Sequence, residues 1–245
     1  VLEDLAALRN SLDADGRRDT GPHEWPCLPP DGRALLVFTS GSTGRPKGVL
    51  LSIRALLTHV LFCSEHFRFK PGQAVLQHTA WTFDAPICEM WPALIAGATV
   101  VTSKRDGSKD FDYIVSLVNE HRLSHALFVP SLLAEVLEHQ YLPRSLRSLA
   151  MVGEACSLSL ARRILEAPLT LHNFYGPSEA GIGATIYEID KIGAVPSVCQ
   201  TVPIGRPVSW RQVVLLDTQL RPAVGRAGQI AIMGEGLALG YLNLA

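Results

Sequence analysis

From Arg33 onward, short apolar runs alternate with stretches that repeat apolar residues at helical spacing, and this alternation constrains the fold most strongly. Uniformly apolar runs of this length are typical of buried strands, whereas the 3.6-residue period is typical of amphipathic helices. The pattern predicts an α/β fold in which a parallel-rich sheet is layered with helices on both faces. The predicted strands are residues 34–38, 74–77, 98–101, 126–129, 146–152 and 169–174, and the predicted helices are residues 53–67, 84–96, 111–121, 131–138 and 158–166.

The regions on either side of this alternating core have different patterns. Residues 1–32 combine leucines at helical spacing with a polar, proline-rich stretch, which predicts a helix followed by a linker. Residues 33–190 contain the alternating elements of the core. In residues 191–245, two apolar runs are separated by turn-forming proline and glycine residues, which predicts antiparallel strands in a smaller β-rich portion.

Composition excludes several classes of protein. The 245 residues are 47% hydrophobic and 18% charged, so the chain can bury a core. Its 22 basic and 23 acidic residues give a net charge of −1, and aromatics are only 7%, which argues against nucleic-acid binding. No apolar run approaches the roughly 18 residues that a membrane span needs. The five cysteines are widely spaced and odd in number, which predicts reduced thiols in a cytoplasmic protein.

The first candidate site is the loop TSGSTGRPKG at residues 39–48, directly after a predicted strand. Its glycines allow several backbone N–H groups to face one anion, its hydroxyls add donors, and Lys47 adds a positive charge. This combination suits a polyphosphate, although an ordinary hairpin loop is the alternative. The loop is not a Walker A motif, because Pro46 and Gly48 flank the lysine. The residues predicted to surround phosphate are Thr39, Ser40, Gly41, Ser42, Thr43, Gly44 and Lys47.

The second candidate site is the segment NFYGPSE at residues 173–179, which follows another predicted strand. Ligands in α/β proteins bind at the carboxyl ends of strands. Tyr175 could stack on a base, Ser178 could donate to a phosphate, and the carboxylate of Glu179 could bind Mg²⁺. The alternative is a turn with a polar tip.

Together, these segments resemble the motifs of adenylate-forming enzymes, most closely the adenylation domains of nonribosomal peptide synthetases. TSGSTGRPKG matches the phosphate loop of that family, and FYGPSE matches a later motif with Ser178 in place of threonine. GEGLALGYL at residues 234–242 matches a third motif, although Leu239 stands where arginine is usual and Gln229 where glutamate is usual. The resemblance runs from Arg33 to the end of the chain.

The resemblance implies the core of the family's large N-terminal subdomain and an ATP-dependent activation of a carboxylate. A carboxylate oxygen attacks the α-phosphorus of ATP, an acyl-adenylate and pyrophosphate form, and the acyl group passes to the phosphopantetheine of a carrier protein. Carrier-protein and condensation domains would be the partners. Lys47, Thr43 and Glu179 would act in catalysis, with Mg²⁺ on Glu179. The residues expected to contact the nucleotide beyond the phosphate loop are Gly153, Glu154, Ala155, Asn173, Tyr175, Gly176 and Ser178.

The resemblance also places Asp84 where the peptide-synthetase branch binds the α-ammonium group of an amino acid. A buried carboxylate facing an alkyl chain would be an unpaired charge that costs roughly 3–5 kcal/mol, so Asp84 argues against a fatty-acid or acyl-CoA ligase. The alternative is a helix N-cap without a ligand. The side-chain pocket carried over by position has no charged member, which predicts an apolar amino acid. It consists of Ala85, Cys88, Leu127, Ala150, Val152, Phe174, Ile182 and Gly183, with Cys88 as a small hydrophobe.

Two alternatives to an active amino-acid-adenylating ligase remain open. The family's ribose-binding aspartate and its lysine-bearing C-terminal subdomain have no counterpart before Ala245, so the chain is expected to be a partial domain, weak or inactive alone. It could instead be a truncated or degenerate domain without catalysis, or an acyl-CoA ligase core.

Three histidines are further candidates for functional residues. His121 and His125 have metal-ligand spacing but lack the glutamate of a zinc-protease motif, so they are expected to flank a helix end. His78 ends a strand near the predicted site, where a gating role is a hypothesis.

Overall fold

The computed structural model describes residues 28–40, 45–139, 141–189 and 199–242. The helix predicted at residues 1–12 and four phosphate-loop residues, Gly41, Ser42, Thr43 and Gly44, lie outside the described residues. The strands are β1 (Arg33–Thr39), β2 (Lys47–Ser52), β3 (Ala74–Gln77), β4 (Thr99–Thr102), β5 (His125–Phe128), β6 (Ser148–Met151), β7 (Thr170–Tyr175), β8 (Thr185–Ile189), β9 (Arg206–Pro207), β10 (Arg211–Leu216), β11 (Gln229–Gly234) and β12 (Gly240–Tyr241). The helices are α1 (Ile53–Phe67), α2 (Ala85–Ile95), α3 (Phe111–Glu120), α4 (Pro130–His139) and α5 (Leu158–Ile164), with 3₁₀ turns at Gly107–Lys109 and Ser178–Ala180.

The main sheet has seven strands in the order β4-β3-β5-β6-β7-β8-β9. Strands β4, β3, β5, β6 and β7 run parallel, and β8 and β9 extend the sheet in antiparallel fashion. Leu149 and Leu171 on adjacent parallel strands are fully buried in the largest apolar cluster, together with Ile114 from α3 and Ile164 from α5. The predicted parallel-rich α/β sheet is therefore confirmed.

A second sheet carries the phosphate-loop region and departs from the simple alternation. The first predicted strand, β1, pairs antiparallel with β2, from Arg33 opposite Ser52 to Thr39 opposite Lys47. Strand β12 pairs antiparallel with the other edge of β2. The loop after β1 thus joins the two strands of a hairpin, and no parallel crossover follows it. Both β2 and β12 were missing from the sequence prediction, because β2 directly follows the glycine-rich loop and depends on pairing with β1, and β12 has only two residues.

The β-rich end of the chain contributes to all three sheets. The predicted antiparallel pair is present as β10 and β11, which form a sheet of their own. Strand β9 pairs with β8 and thereby joins the main sheet. The sequence pattern predicted neither β8 nor β9. The division into residues 1–32, 33–190 and 191–245 stays a prediction.

Local capping explains where the helices begin. The side chain of Ser52 accepts a hydrogen bond from the backbone N–H of Ala55 at the start of α1, and Asp110 and Ser157 do the same for α3 and α5. Helix α1 ends at Arg68, which adopts a left-handed backbone conformation. Within the described part of the chain, no helix combines the length and apolarity needed to cross a bilayer.

Candidate functional site

An apolar cavity opens between α1, α2 and the strands β3, β5, β6 and β7. All eight residues that were predicted to surround the amino-acid side chain line this one cavity. They come from separate parts of the chain and converge because the parallel strands end at the same edge of the sheet. The structure also brings polar residues into the lining that sequence reasoning missed, namely His59, Glu89, His125 and Ser148.

Asp84 lies at the start of α2, directly before the cavity residue Ala85. It occupies the N-cap position, but its side chain makes no capping hydrogen bond. Instead, its Oδ2 accepts a hydrogen bond of 2.5 Å from Oγ of Ser178. Both side chains are half-buried. The carboxylate that was predicted to bind an ammonium group and the hydroxyl that was predicted to reach phosphate are therefore in direct contact.

His59 on α1 occupies the space beside Gly183. A Cβ placed on Gly183 would lie 2.5 Å from Cε1 of His59, so the absence of a side chain at Gly183 makes room for the ring. The His59 Nε2 lies 3.0 Å from the sulfur of Cys88 and 3.3 Å from that of Cys63. Its Nδ1 is buried without a hydrogen-bond partner among the described residues. The ring of His59 therefore adds a polar group to the cavity, as does that of His125, and the motif comparison indicated neither.

The Cys88 thiol lines the cavity beside His59, and its role as a small hydrophobe stays a prediction. Its hydrogen bond with Cys63 and its burial raise the pKa of the Cys88 thiol well above its usual value. A thiol with a raised pKa stays protonated at neutral pH and is a poor nucleophile.

Glu89 is a buried carboxyl group in the wall of the cavity. It accepts hydrogen bonds from the hydroxyl of Thr79 at 2.6 Å, from the Thr79 backbone N–H and from the side-chain amide of Gln77. Burial raises the pKa of Glu89 to about 7. Its neighbour His78 places Nε2 2.7 Å from the carbonyl oxygen of Leu127, which anchors one cavity wall, while the gating role of His78 stays a prediction.

The phosphate-loop lysine and the predicted magnesium ligand meet at Tyr241, a residue that sequence reasoning missed. Nζ of Lys47 lies 5.3 Å from the centre of the Tyr241 ring. The Tyr241 hydroxyl donates a hydrogen bond of 2.7 Å to Oε1 of Glu179, and this bond raises the pKa of Tyr241. The sequence offered one indication, because Tyr241 belongs to the third motif, GEGLALGYL at residues 234–242, hereafter the glycine motif.

Backbone contacts bring the glycine motif against the other two motifs. The N–H of Ala238 donates to the carbonyl of Glu179, and the N–H of Leu242 donates to the carbonyl of Gly48. The buried guanidinium of Arg211 donates to the carbonyl oxygens of Ala180 and Gly236. Three sequence motifs far apart in the chain therefore form one continuous surface. Leu239, which replaces the family's usual arginine, has a half-exposed side chain there.

The residues predicted near adenine lie within β7 or shortly after β6 and β7, which are adjacent strands. Gly153, Glu154 and Ala155 are exposed, and the Glu154 carboxylate accepts hydrogen bonds from the N–H and hydroxyl of Ser131 at the start of α4. Asn173 is buried, and its Nδ2 donates to the backbone carbonyl of Pro203. Its Oδ1 has no partner within the described residues.

The next two predicted residues, Tyr175 and Gly176, end β7 and follow it. Gly176 has no space for a side chain, because a Cβ there would collide with the carbonyl oxygen of Ile182.

The two histidines with metal-ligand spacing lie on different elements, and of the two only His121 stands at the helix end where both were expected. His121 is the exposed C-cap of α3, and His125 begins β5. The Nδ1 of His125 lies 2.8 Å from the Ser124 hydroxyl, and burial lowers the pKa of His125 to about 4.

A family profile described as AMP-binding enzyme matches residues 2–242, and the chain belongs to this family. Within the family, its similarity is to the adenylation domains of nonribosomal peptide synthetases. Phosphinothricin tripeptide synthetase PhsC of Streptomyces viridochromogenes is 38% identical over 248 residues, which covers 99% of this chain and 21% of the relative. Vanchrobactin synthetase VabF of Vibrio anguillarum is 35% identical over 229 residues, which covers 88% of this chain and 8% of the relative.

Solved structures agree with this placement. The Vibrio cholerae adenylation domain AlmE, in complex with glycyl-adenosine-5′-phosphate, is 26% identical with a TM-score of 0.76, covering 95% of this chain and 43% of that one. The N-terminal subdomain of Klebsiella oxytoca NpsA is 24% identical with a TM-score of 0.78, covering 93% and 58%, and supports the fold. The chain therefore spans roughly a fifth or less of the two synthetases and about half of these structures.

Proposed function

We propose that this chain binds ATP and an apolar α-amino acid and activates the amino acid as an aminoacyl-adenylate within a larger synthetase. The observation that carries the proposal is the carboxylate of Asp84, which stands next to a cavity lined by all eight predicted specificity residues. The AlmE complex, in which an adenylation domain holds glycyl-adenosine-5′-phosphate, supports the same type of ligand.

At the amino-acid end, Asp84 would pair with the α-ammonium group. A carboxylate and an ammonium about 4 Å apart gain about 4 kcal/mol at an effective dielectric constant near 20. The hydrogen bond from Ser178 holds the Asp84 carboxylate in place. The substrate side chain would enter the cavity, whose only carboxyl group among the described lining residues, Glu89, is already engaged by Thr79 and Gln77. An apolar side chain fits this lining best.

At the phosphate end, Lys47, Thr39 and Ser40, with the loop residues beyond the described part, would bind the phosphates. The carboxylate of Glu179 offers the hard oxygen ligand that Mg²⁺ prefers, and the hydrogen bond from Tyr241 orients it. When bound, Mg²⁺ would neutralise charge on the phosphates. Lys47 adds its own positive charge over the ring of Tyr241, so this surface suits an anionic ligand with its counter-ion.

At the adenine end, Asn173 provides an acceptor that has no partner among the described residues. Its Nδ2 is oriented by a backbone carbonyl, and its Oδ1 is an acceptor that fits the amino group of adenine. Gly153, Ala155 and Tyr175 would cover the base. Thiol loading would then require a carrier-protein domain, and a condensation domain would use the loaded amino acid.

The first test compares two non-hydrolysable adenylate analogues, leucyl and its des-amino counterpart, by calorimetric titration of the 245-residue chain. We expect the chain to prefer the amino analogue by about tenfold or more, or about 1.4 kcal/mol. Asp84→Asn keeps the shape of the side chain but should abolish the preference. Asp106→Asn changes an exposed aspartate on a loop and should retain it. Equal affinity of the unmodified chain for both analogues would indicate an acyl ligase, and no binding by a folded chain would indicate a degenerate domain.

The second test is ATP–pyrophosphate exchange with apolar and charged amino acids and with fatty acids. It should be run on the chain and on the longest natural protein that contains it. We expect exchange with an apolar amino acid, reduced by Glu179→Gln. Exchange with charged amino acids alone would contradict the apolar assignment.

A further inference from the structure

Three side chains with metal-ligand chemistry meet on the main sheet, outside the residues assigned to ATP and the amino acid. His66 belongs to the last turn of α1, His172 to β7 and Glu188 to β8. Nε2 of His66 lies 3.1 Å from Nδ1 of His172 and 3.5 Å from Oε2 of Glu188. Nδ1 of His172 lies 3.8 Å from the same Oε2. Three possible ligand atoms from three elements therefore face one another.

The spacing of these atoms matches a small metal ion. A triangle with sides of 3.1, 3.5 and 3.8 Å has a circumscribed radius of about 2.0 Å, close to the Zn–N and Zn–O distances of about 2.0–2.2 Å in proteins. An ion bound to all three atoms at about 2.1 Å would stand slightly above their plane, as in a tetrahedral site with one further ligand. The three atoms thus need little rearrangement to become ligands.

The surrounding aromatic residues hold the two imidazole rings. His66 stacks on Phe62 with a centroid distance of 5.5 Å and an interplanar angle of 23°. His172 is buried, and its ring makes a T-shaped contact with Phe67 at a centroid distance of 4.9 Å. The side chain of Glu188 is 56% exposed, which leaves one side of the group open to solvent. The group therefore consists of two imidazoles packed against aromatic rings and one accessible carboxylate.

We propose that His66, His172 and Glu188 bind a divalent transition-metal ion such as Zn²⁺, with water at the open position. Two imidazoles and one carboxylate suit Zn²⁺ better than Mg²⁺, which prefers oxygen ligands and keeps several waters. The ion would link α1 to β7 and β8. Phe67 and Phe174, on the same α1 and β7, line the cavity, so the ion would brace one cavity wall. This site is separate from Glu179 and does not depend on the proposed function.

The experiment is a calorimetric titration of the reduced, chelator-treated 245-residue chain, without an affinity tag, with Zn²⁺ alone. We expect one saturable site that His66→Gln and Glu188→Gln each weaken by tenfold or more. Glu65→Gln, which alters an exposed glutamate next to His66, is the matched control and should leave the affinity unchanged. Zn²⁺ should raise the thermal unfolding midpoint of the chain and of the control, but not of the two ligand variants. Circular dichroism verifies that each variant is folded.

A titration with Co²⁺ separates this site from the thiols of Cys63 and Cys88 beside His59. Nitrogen and oxygen ligation predicts visible bands of a four-coordinate ion without a thiolate-to-cobalt charge-transfer band. A charge-transfer band would assign the ion to the cysteines and overturn the proposal. The same conclusion would follow from equal Zn²⁺ affinity in all variants, or from the absence of saturable binding.

Discussion

Glu89 makes the stability of this protein depend on pH in a direction opposite to that of most carboxylates. Its folded-state pKa is about 7, against an ordinary value of 4.5, because burial disfavours the charged form. Between these two values the folded state binds more protons than the unfolded state, so stability falls as pH rises from about 4.5 to about 7. At about 1.4 kcal/mol per pH unit, the full effect is on the order of 3 kcal/mol.

The substitution Glu89→Gln removes this titration while keeping the shape of the side chain. The assay is urea unfolding of both proteins at intervals from pH 4.5 to 8. We expect the stability of the native protein, relative to the variant, to decrease by about 3 kcal/mol across this range and to level off above pH 7. The buried histidines that do not contact Glu89, His125 and His172, contribute with the opposite sign and cancel in the difference, since both proteins share them. Glu135→Gln, at an exposed position of α4, should show no such trend. A difference that stays constant or increases with pH would refute the reasoning.

Substitutions of glycine test the packing around the cavity and the sheet. Gly205→Ala should cost more than about 3 kcal/mol, because φ is +84° and the added Cβ would collide with the carbonyl oxygen of Ile186. Gly72→Ala, with φ of +85° but no atom within 4 Å, should cost only the left-handed strain of about 1–2 kcal/mol. Equal losses in urea unfolding would argue against the collision. Gly183→Ala should force His59 to move and should weaken the binding of the leucyl adenylate analogue. Gly72→Ala should leave that binding unchanged. Unchanged binding in Gly183→Ala would contradict the placement of His59.

Local sequence was sufficient for elements whose residues carry a clear period or cap. Helix α1 has the predicted bounds, Ile53 to Phe67, because Ser52 caps its start and its apolar residues repeat over four turns. The strands of the parallel sheet were predictable as well, since short apolar runs such as Val75–Leu76 and Leu149–Met151 are typical of buried strands. Strand β8 was not, because its alternating pattern in TIYEI lies beside turn residues and depends on pairing with β7.

The motifs predicted which residues belong to the site, while tertiary packing decided which atoms meet. Eight cavity residues followed from the resemblance, but the contact between Asp84 and Ser178 joins residues 94 positions apart. The orientation of α1 relative to the sheet places His59 in the cavity and His66 near Glu188. No periodic pattern in the local sequence specifies this orientation.

The sequence by itself therefore determined the α/β class, the bounds of the longest helix and the identity of the motif residues. These properties depend on side chains a few positions apart, which interact within one element. The tertiary structure alone decided the hairpin that carries the phosphate loop, the raised pKa of Glu89 and the meeting of Lys47, Tyr241 and Glu179. Those properties arise from burial and from contacts between distant segments, and such contacts exist only once the sheets and helices have packed.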